Sequence, residues 1–218
     1  PNCSTIVMLM ALAPLHRANP IKRIIVDTYQ SASGAGGKGV VELMQQTHDA
    51  LIQKTTTHSI FPATLAFNAI PQVEEFDESD YTTEEIKMEN EARKIMHMPD
   101  LPVSATCVRI PVPVSHSEAV HIEFANHMSP EEAREVLSAF PGVRVIDDSA
   151  TKSYPLASFA SGKDDVFVGR IRRDKAFRNG LSIWSVGDNL RKGAALNAVQ
   201  IAESLLANEH VDTNGNGR

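Results

Sequence analysis

Residues 6–15 place Ile6, Val7, Leu9, Met10 and Leu12 around a helix with no polar face left between them. A helix that is apolar all round has no side to turn to water, so it must lie inside a layered fold and be covered on most sides. The pattern predicts a central helix over 6–15, closed by Pro14, whose ring cannot donate a backbone N–H. Its capping residue is Asn2, Cys3 or Ser4. The uninterrupted apolar run, 6–13, falls well short of the roughly 20 residues that a membrane-spanning helix needs. The chain begins Pro1-Asn2-Cys3-Ser4-Thr5 with neither an initiator Met nor a leader, and it reads as a piece of something longer.

The rest of the chain supplies the layers around that helix. Residues 23–30 form a β-rich run that stops at the small-residue loop 31–37, and a helix follows with Val40, Met44, Thr47, His48 and Leu51 on one expected stripe. Periodicity lapses over 55–80. Thr82 or Thr83 then caps a helix to about Met98, with the stripe Met88, Ala92, Ile95 and Met96. Strands are expected at 103–110 and 119–125, joined through the proline-containing stretch 111–116. Ser129-Pro130-Glu131-Glu132 is a capping box with Pro at the first helical position, and it opens a helix ending near Phe140-Pro141-Gly142. Two further strands, 165–172 and 181–186, flank an Asn179-Gly180 turn. A last helix over 191–207 should bury Ala195, Val199, Ala202 and Leu206, leaving 208–218 as a polar, disordered tail beyond a single domain of residues 1–207. Strands that neighbour strands, with helices grouped elsewhere, make the chain α+β.

Composition removes several classes of partner. With 218 residues, 42 % of them apolar, the chain can bury a real core, and its net charge of -6 suits neither nucleic acid nor an anionic membrane surface. It reads as cytoplasmic. Two cysteines, Cys3 and Cys107, are too few for a disulfide framework, and no His/Cys/Asp/Glu cluster has metal-ligand spacing, so no metal is expected. Gly34-Ala35-Gly36 is followed by Gly39 at a spacing that does not complete a dinucleotide fingerprint.

Four residues have addresses suited to chemistry. Cys3 stands at a helix start, where unpaired N–H groups and the helix dipole favour an anion and would depress a thiol pKa; a Cys there is also simply a small hydrophobe. Cys107 sits in a strand among apolar neighbours. Arg109 and His116 would face opposite sides of one continuous strand, but Pro111 and Pro113 break it, so both side chains can reach one side. An Arg fork suits a carboxylate or phosphate, and an imidazole suits proton transfer. Glu84 lies on the apolar stripe of its helix, with Lys87 three residues on as a candidate ion-pair partner.

Taken together, Asn2-Cys3-Ser4-Thr5, the run from Thr28-Tyr29-Gln30 through Ser33-Gly34-Ala35-Gly36, Glu84-Glu85-Ile86-Lys87, Cys107-Val108-Arg109-Ile110-Pro111-Val112, His116-Ser117-Glu118, Phe167-Val168-Gly169-Arg170-Ile171-Arg172 and Asp188-Asn189-Leu190-Arg191-Lys192-Gly193 resemble the aspartate-β-semialdehyde dehydrogenases, in order, from Pro1 to about Leu206. The resemblance is to the catalytic and dimerisation half of that family, without its amino-terminal NADP-binding domain. It implies a mixed, largely antiparallel sheet with helices packed on one face, like the catalytic domain of glyceraldehyde-3-phosphate dehydrogenase-like enzymes, and a homodimer. It further implies reductive dephosphorylation of L-aspartyl-4-phosphate with NADP as the cofactor couple and phosphate as a product. Cys3 then takes the nucleophile's place, His116 that of the general acid/base, and Gln30 that of an orienting amide. Arg109 matches the grip on the substrate carboxylate, Glu84 the partner of its ammonium, and Lys87 and Asn2 phosphate contacts. Ser33, Gly34 and Asn189 match positions near the cofactor. The alternatives are N-acetyl-γ-glutamyl-phosphate reductase, whose acetylated substrate nitrogen does not call for Glu84, and a dimerisation module without turnover.

Overall fold

The computed structural model describes residues 1–213, with side chains to 207; the tail expected over 208–218 lies outside the residues whose side chains are described. Helix α1, Cys3–Ala18, runs through the middle of the molecule with Ile6, Val7, Met8, Leu9, Ala11, Leu12 and Leu15 all buried. The N-cap is Asn2, whose Oδ1 accepts from Thr5 N at 2.6 Å. Pro14 does not close this helix as expected. It sits inside it, because its missing donor costs one ladder bond while the buried turn that follows keeps its packing, and the helix ends only where Asn19 N bonds Leu15 O.

Under α1 lies a six-stranded sheet in the order β2-β1-β3-β6-β5-β4. Its strands are β1 Ile21–Gln30, β2 Val103–Arg109, β3 His116–Phe124, β4 Val143–Val145, β5 Val166–Arg173 and β6 Gly180–Gly187. The β1–β3, β3–β6 and β5–β6 pairs are antiparallel and the β1–β2 and β4–β5 pairs parallel, so the sheet is mixed and largely antiparallel. Helix α1 covers one face together with α3 Thr83–Ile95 and α4 Pro130–Ser138, both opened by complete capping boxes at Thr82 and Ser129. Strand alternation then decides what meets α1: Ile24, Val26, Thr28 and Gln30 of β1 point to it, while Arg23, Ile25, Asp27 and Tyr29 point to the opposite face. Short β4 and the one-turn helix α5 Ala157–Ala160 have too few residues to show a period, and neither was expected.

Two helices differ from their sequence patterns. Helix α2, Gly36–Leu51, buries Gly39, Leu43, Gln46 and Asp49 and leaves Met44 and Leu51 exposed. Its inner face is largely polar for a reason: Glu42 accepts from Ser59 N, Ile60 N and Phe61 N, and Gln46 Oε1 accepts from Leu65 N and Ala66 N. These side chains satisfy backbone groups over 59–66 of the irregular segment 55–80, which meets the sheet only at the Ile70–Arg109 bridge. The final helix, α6 Leu196–Thr213, follows a π-turn at Arg191–Ala195, and Ala195, Val199, Ala202 and Leu206 are exposed rather than buried, because α6 leaves the body of the molecule after that turn. No helix among the described residues is long and apolar enough to cross a membrane.

Candidate active site

The C-terminal end of β1 and the N-terminal end of α1 meet at a cleft of about 490 Å³ lined by Cys3, Gln30, Gly34, Glu84, Arg109 and His116 among others. Register explains the convergence. Gln30 ends β1 opposite Arg109, which ends β2, and His116 opens β3 on the other side of β1. All three side chains share the face that α1 covers, and Cys3 is the first residue of α1. The link between Arg109 and His116 enters β3 through Ser115, whose φ of 78° lies in the left-handed region, and this tight entry turns His116 toward the cleft.

Cys3 Sγ and His116 Nε2 are 3.1 Å apart. The opposite ring nitrogen, His116 Nδ1, accepts from Ser31 N at 3.0 Å, and Ser31 Oγ is also 3.0 Å away. His116 is completely buried, and that burial, with the Arg109 charge beside it, pushes the imidazole down to about 3. Burial likewise pushes the Cys3 thiol up to about 12, with the Glu84 carboxylate adding to the rise. This corrects the expectation of a depressed thiol. The helix start is there and Ser4 N still favours the thiolate, but loss of solvation outweighs it.

The flanking residues form two groups. Gln30 Nε2 donates to Glu84 Oε1 at 2.9 Å and to Ser4 Oγ, which leaves Gln30 Oε1 without a partner. Glu84 is buried, and desolvation raises its carboxyl. Arg109 donates from Nη1 to Ser31 O at 2.8 Å, and its backbone is clamped on both sides by Ile70. Asn2 Nδ2 is buried with no partner. On the opposite side, Asn189 Oδ1 gathers Ser33 Oγ at 3.0 Å, Ser31 Oγ at 3.2 Å and Ser115 N at 2.9 Å, so this one carbonyl ties together the loops carrying Ser33 and His116.

Lys87 stands apart from this arrangement. It pairs with Glu74 at 2.6 Å on the exposed rim, not with Glu84, which faces inward to Gln30. Three contributors were not legible in the sequence: Ser31 beside His116, Ser4 beside Gln30, and Glu91, which accepts from Asn2 N at 2.8 Å. They act through short-range geometry, and only the small-residue character of 31–37 hinted at the first. Among the described residues, no three His, Cys, Asp or Glu side chains come together as a metal site.

Gly193 backs directly onto the thiol-bearing residue, since a Cβ there would stand 2.9 Å from Cys3 Cβ. Both groups are fixed by helical backbone, so the contact is relieved only by moving Cys3. Gly193→Ala is expected to change the rate of Cys3 alkylation by iodoacetamide about tenfold, because it must displace the thiol-bearing residue within its cleft. Mass spectrometry against time checks this, with circular dichroism as the control for folding.

An α+β sheet that brings a half-buried cysteine and a fully buried imidazole together beside an Arg and a Glu is the arrangement of a domain suited to thiol chemistry. The sequence profile described as "Semialdehyde dehydrogenase, dimerisation domain" matches residues 12–192, and the chain belongs to that family. It is 53 % identical to the aspartate-semialdehyde dehydrogenase of Aquifex aeolicus, over 94 % of this chain and 61 % of that protein. Identity to the Bacillus subtilis enzyme of the same name is 49 %, over 94 % and 62 %. The fold superposes on the crystal structure of aspartate semialdehyde dehydrogenase II from Vibrio cholerae with a TM-score of 0.92 at 45 % identity, covering 95 % of this chain and 61 % of that one. The same Vibrio cholerae enzyme has been solved complexed with ASA. The chain thus spans about 61 % of the length of these relatives.

Proposed function

We propose that this chain is the catalytic and dimerisation part of an enzyme that converts L-aspartyl-4-phosphate to L-aspartate 4-semialdehyde and phosphate with NADPH, in the cytoplasm. The observation that carries this reading is the 3.1 Å contact between Cys3 Sγ and His116 Nε2 on the floor of a cleft that also holds Arg109 and Glu84. Arg109 receives the substrate carboxylate through its fork, and Glu84 pairs with the ammonium, whose charge offsets the desolvation of that carboxyl. The partnerless Asn2 Nδ2 is a donor available to the phosphoryl group beside the nucleophile, while Lys87 on the rim adds positive charge at the entrance. Cys3 attacks the acyl carbon and forms a thioester, with the Gln30 amide and His116 orienting the reacting carbonyl.

The cleft suits the approach of a flat ring at Gly34. A Cβ there would come within 2.5 Å of Arg109 Nη1 and 3.3 Å of His116 Cε1, so the absence of a side chain keeps the surface open beside both. Gly34, with Ser33 and Asn189 behind it, would meet the nicotinamide end of NADP, which when bound supplies the hydride that reduces the thioester. Ser33 and Asn189 hold the loop in place through the 3.0 Å bond between them. The chain carries no dinucleotide fingerprint for the rest of the cofactor.

The test is NADPH-dependent turnover of aspartyl-4-phosphate with and without an added amino-terminal nucleotide-binding domain. Turnover only in the combined protein supports the reading. No turnover in either arm, with the fold intact, contradicts it and leaves the chain a dimerisation module.

A second copy of the chain covers the sheet face opposite α1 in this proposal. That face exposes Ile25 and carries Tyr29 and Trp184 with ring centroids 5.3 Å apart. A homodimer is expected in analytical ultracentrifugation at micromolar concentration, and Ile25→Glu should shift it to monomer, because it would bury an unpaired charge at the contact. A wild-type monomer at that concentration would rule this surface out.

A further inference from the structure

The cleft is short of positive charge. Of the side chains that line it, Arg109 alone carries a fixed cation, while Glu74, Glu75 and Glu84 are acidic. The ammonium of Lys87 on α3 stops short of the cleft: its Nζ donates to both carboxylate oxygens of Glu74, at 2.8 and 2.6 Å, and it is Glu74 that faces inward. A phosphoryl group arriving at this edge meets a carboxylate with the cation behind it. We propose that Glu74 masks Lys87 and so sets the affinity of the cleft for phosphate: a phosphate dianion is held at the rim only after Lys87 leaves Glu74, which makes this carboxylate an internal competitor of the phosphoryl group.

The two partners are held unequally, and that decides which of them moves. Glu74 is tied down. Its Oε2 also accepts from Thr83 Oγ1 at 2.8 Å, its carbonyl accepts from Gln72 Nε2 at 3.0 Å, and its φ of 64° lies in the left-handed region, so the local backbone is set apart from any extended run. Lys87 makes no other hydrogen bond among the described residues and carries its charge on a long flexible stem, with 45 % of the side chain exposed. Lys87 swings and Glu74 stays.

Electrostatics favour the exchange. An ion pair this open to water is weakly held, and a phosphate dianion offers the ammonium more charge than a carboxylate does. Burial pulls the Glu74 carboxyl up, but the bonds from Lys87 and Thr83 outweigh it and hold the carboxyl below the ordinary glutamate range, so the competitor stays ionised near neutral pH. Glu84 and Glu91 on α3 also face the ammonium, and Arg109 on β2 faces Glu74. Neither of those two carboxylates bonds to Lys87, so removing the Glu74 charge releases the ammonium toward the cleft.

The inference rests on the reading of the cleft as an acyl-phosphate site, and two measurements separate them. Phosphorus NMR titration of inorganic phosphate into the chain reads affinity without turnover. Glu74→Gln is expected to lower the dissociation constant about three- to tenfold, because a group that is free only part of the time binds more weakly by that fraction. In a Lys87→Gln background the same substitution should change nothing. In the protein joined to a nucleotide-binding domain, Glu74→Gln should lower KM for phosphate by a similar factor in the phosphorylating direction and leave KM for aspartate semialdehyde within about twofold. Circular dichroism controls for folding. Phosphate binding that is unchanged, weaker or absent in Glu74→Gln would overturn the proposal, and so would an equal gain in the Lys87→Gln background, which would mark general repulsion rather than release of a lysine. Turnover with an unchanged KM for phosphate removes the mask and leaves the proposed function standing. Tighter phosphate binding in a combined protein that never turns over supports the mask and contradicts the function.

Discussion

Arg109→Lys is expected to lower kcat/KM for aspartate semialdehyde, in the phosphorylating direction, by about 30- to 1000-fold in a protein that joins this chain to a nucleotide-binding domain. The argument is geometric. A guanidinium can offer two parallel hydrogen bonds to a carboxylate, while an ammonium offers one compact charge. In a water-poor cleft that difference corresponds to roughly 2 to 4 kcal/mol of transition-state binding. Arg109 is also positioned for this: Nη1 holds Ser31 O at 2.8 Å, the guanidinium carbon lies 6.0 Å from the centroid of the Phe61 ring, and Ile70 clamps the backbone. A lysine keeps the backbone clamp at Ile70 but lacks the guanidinium fork that holds Ser31 O while facing the Phe61 ring. The substitution should leave circular dichroism and the alkylation of Cys3 close to wild type. Turnover within about threefold of wild type would remove Arg109 from the role of carboxylate clamp.

Glu118→Gln is expected to stabilise the fold at pH 8 by about 1 to 3 kcal/mol and to change little near pH 5. Glu118 lies on β3 between Thr28 and Ser185, wholly buried, and neither carboxylate oxygen has a partner. Burial raises its pKa well above the ordinary glutamate range, with Glu84 adding to the shift. The sign follows from linkage. A carboxyl raised in the folded state contributes stability that is fully present below the unfolded value of about 4.5 and is lost as pH rises toward the folded value, because the unfolded chain releases a proton that the folded chain retains. Glutamine has no proton to retain, so the variant escapes that loss. Urea midpoints of both proteins at pH 5 and pH 8 provide the measurement. Equal midpoint shifts at the two values would show that Glu118 is ionised in the fold.

Local chemistry was legible where the signal is itself local. Thr82 and Ser129 close their capping boxes, β1 ends at Gln30 before the small-residue loop, and Pro111 and Pro113 do separate Arg109 from His116. Long-range packing was not. The apolar residues Met44 and Leu51 of α2 share a helical stripe, yet the inner face belongs to Glu42 and Gln46, because an irregular segment twenty residues on needs their oxygens. Nothing in the periodicity of α2 encodes that need. Val199 and Leu206 form an equally good stripe on α6 and are exposed, since an apolar pattern says that a helix has a sticky side without saying what meets it.

The site shows the same division. Cys3, Glu84, Arg109 and His116 were each identifiable as candidates from their positions and Gln30 only through the family resemblance, and the strand order brings all of them to one cleft. The sign of the Cys3 shift was misjudged because helix position is visible in a sequence and burial is not. Once the first turn of α1 lies under Gly193 and beside Glu84, desolvation governs the thiol.

Acylation of Cys3 tests the central claim most directly. The chain is mixed with aspartyl-4-phosphate in the absence of nucleotide, quenched in acid, and read by intact mass and peptide mapping. The account predicts one aspartyl group per chain, located on Cys3, released by hydroxylamine as a thioester is, and absent from Cys3→Ser and from Cys107. A chain that stays unmodified under these conditions while Cys3 still reacts with iodoacetamide, or one that carries the adduct elsewhere, would contradict it.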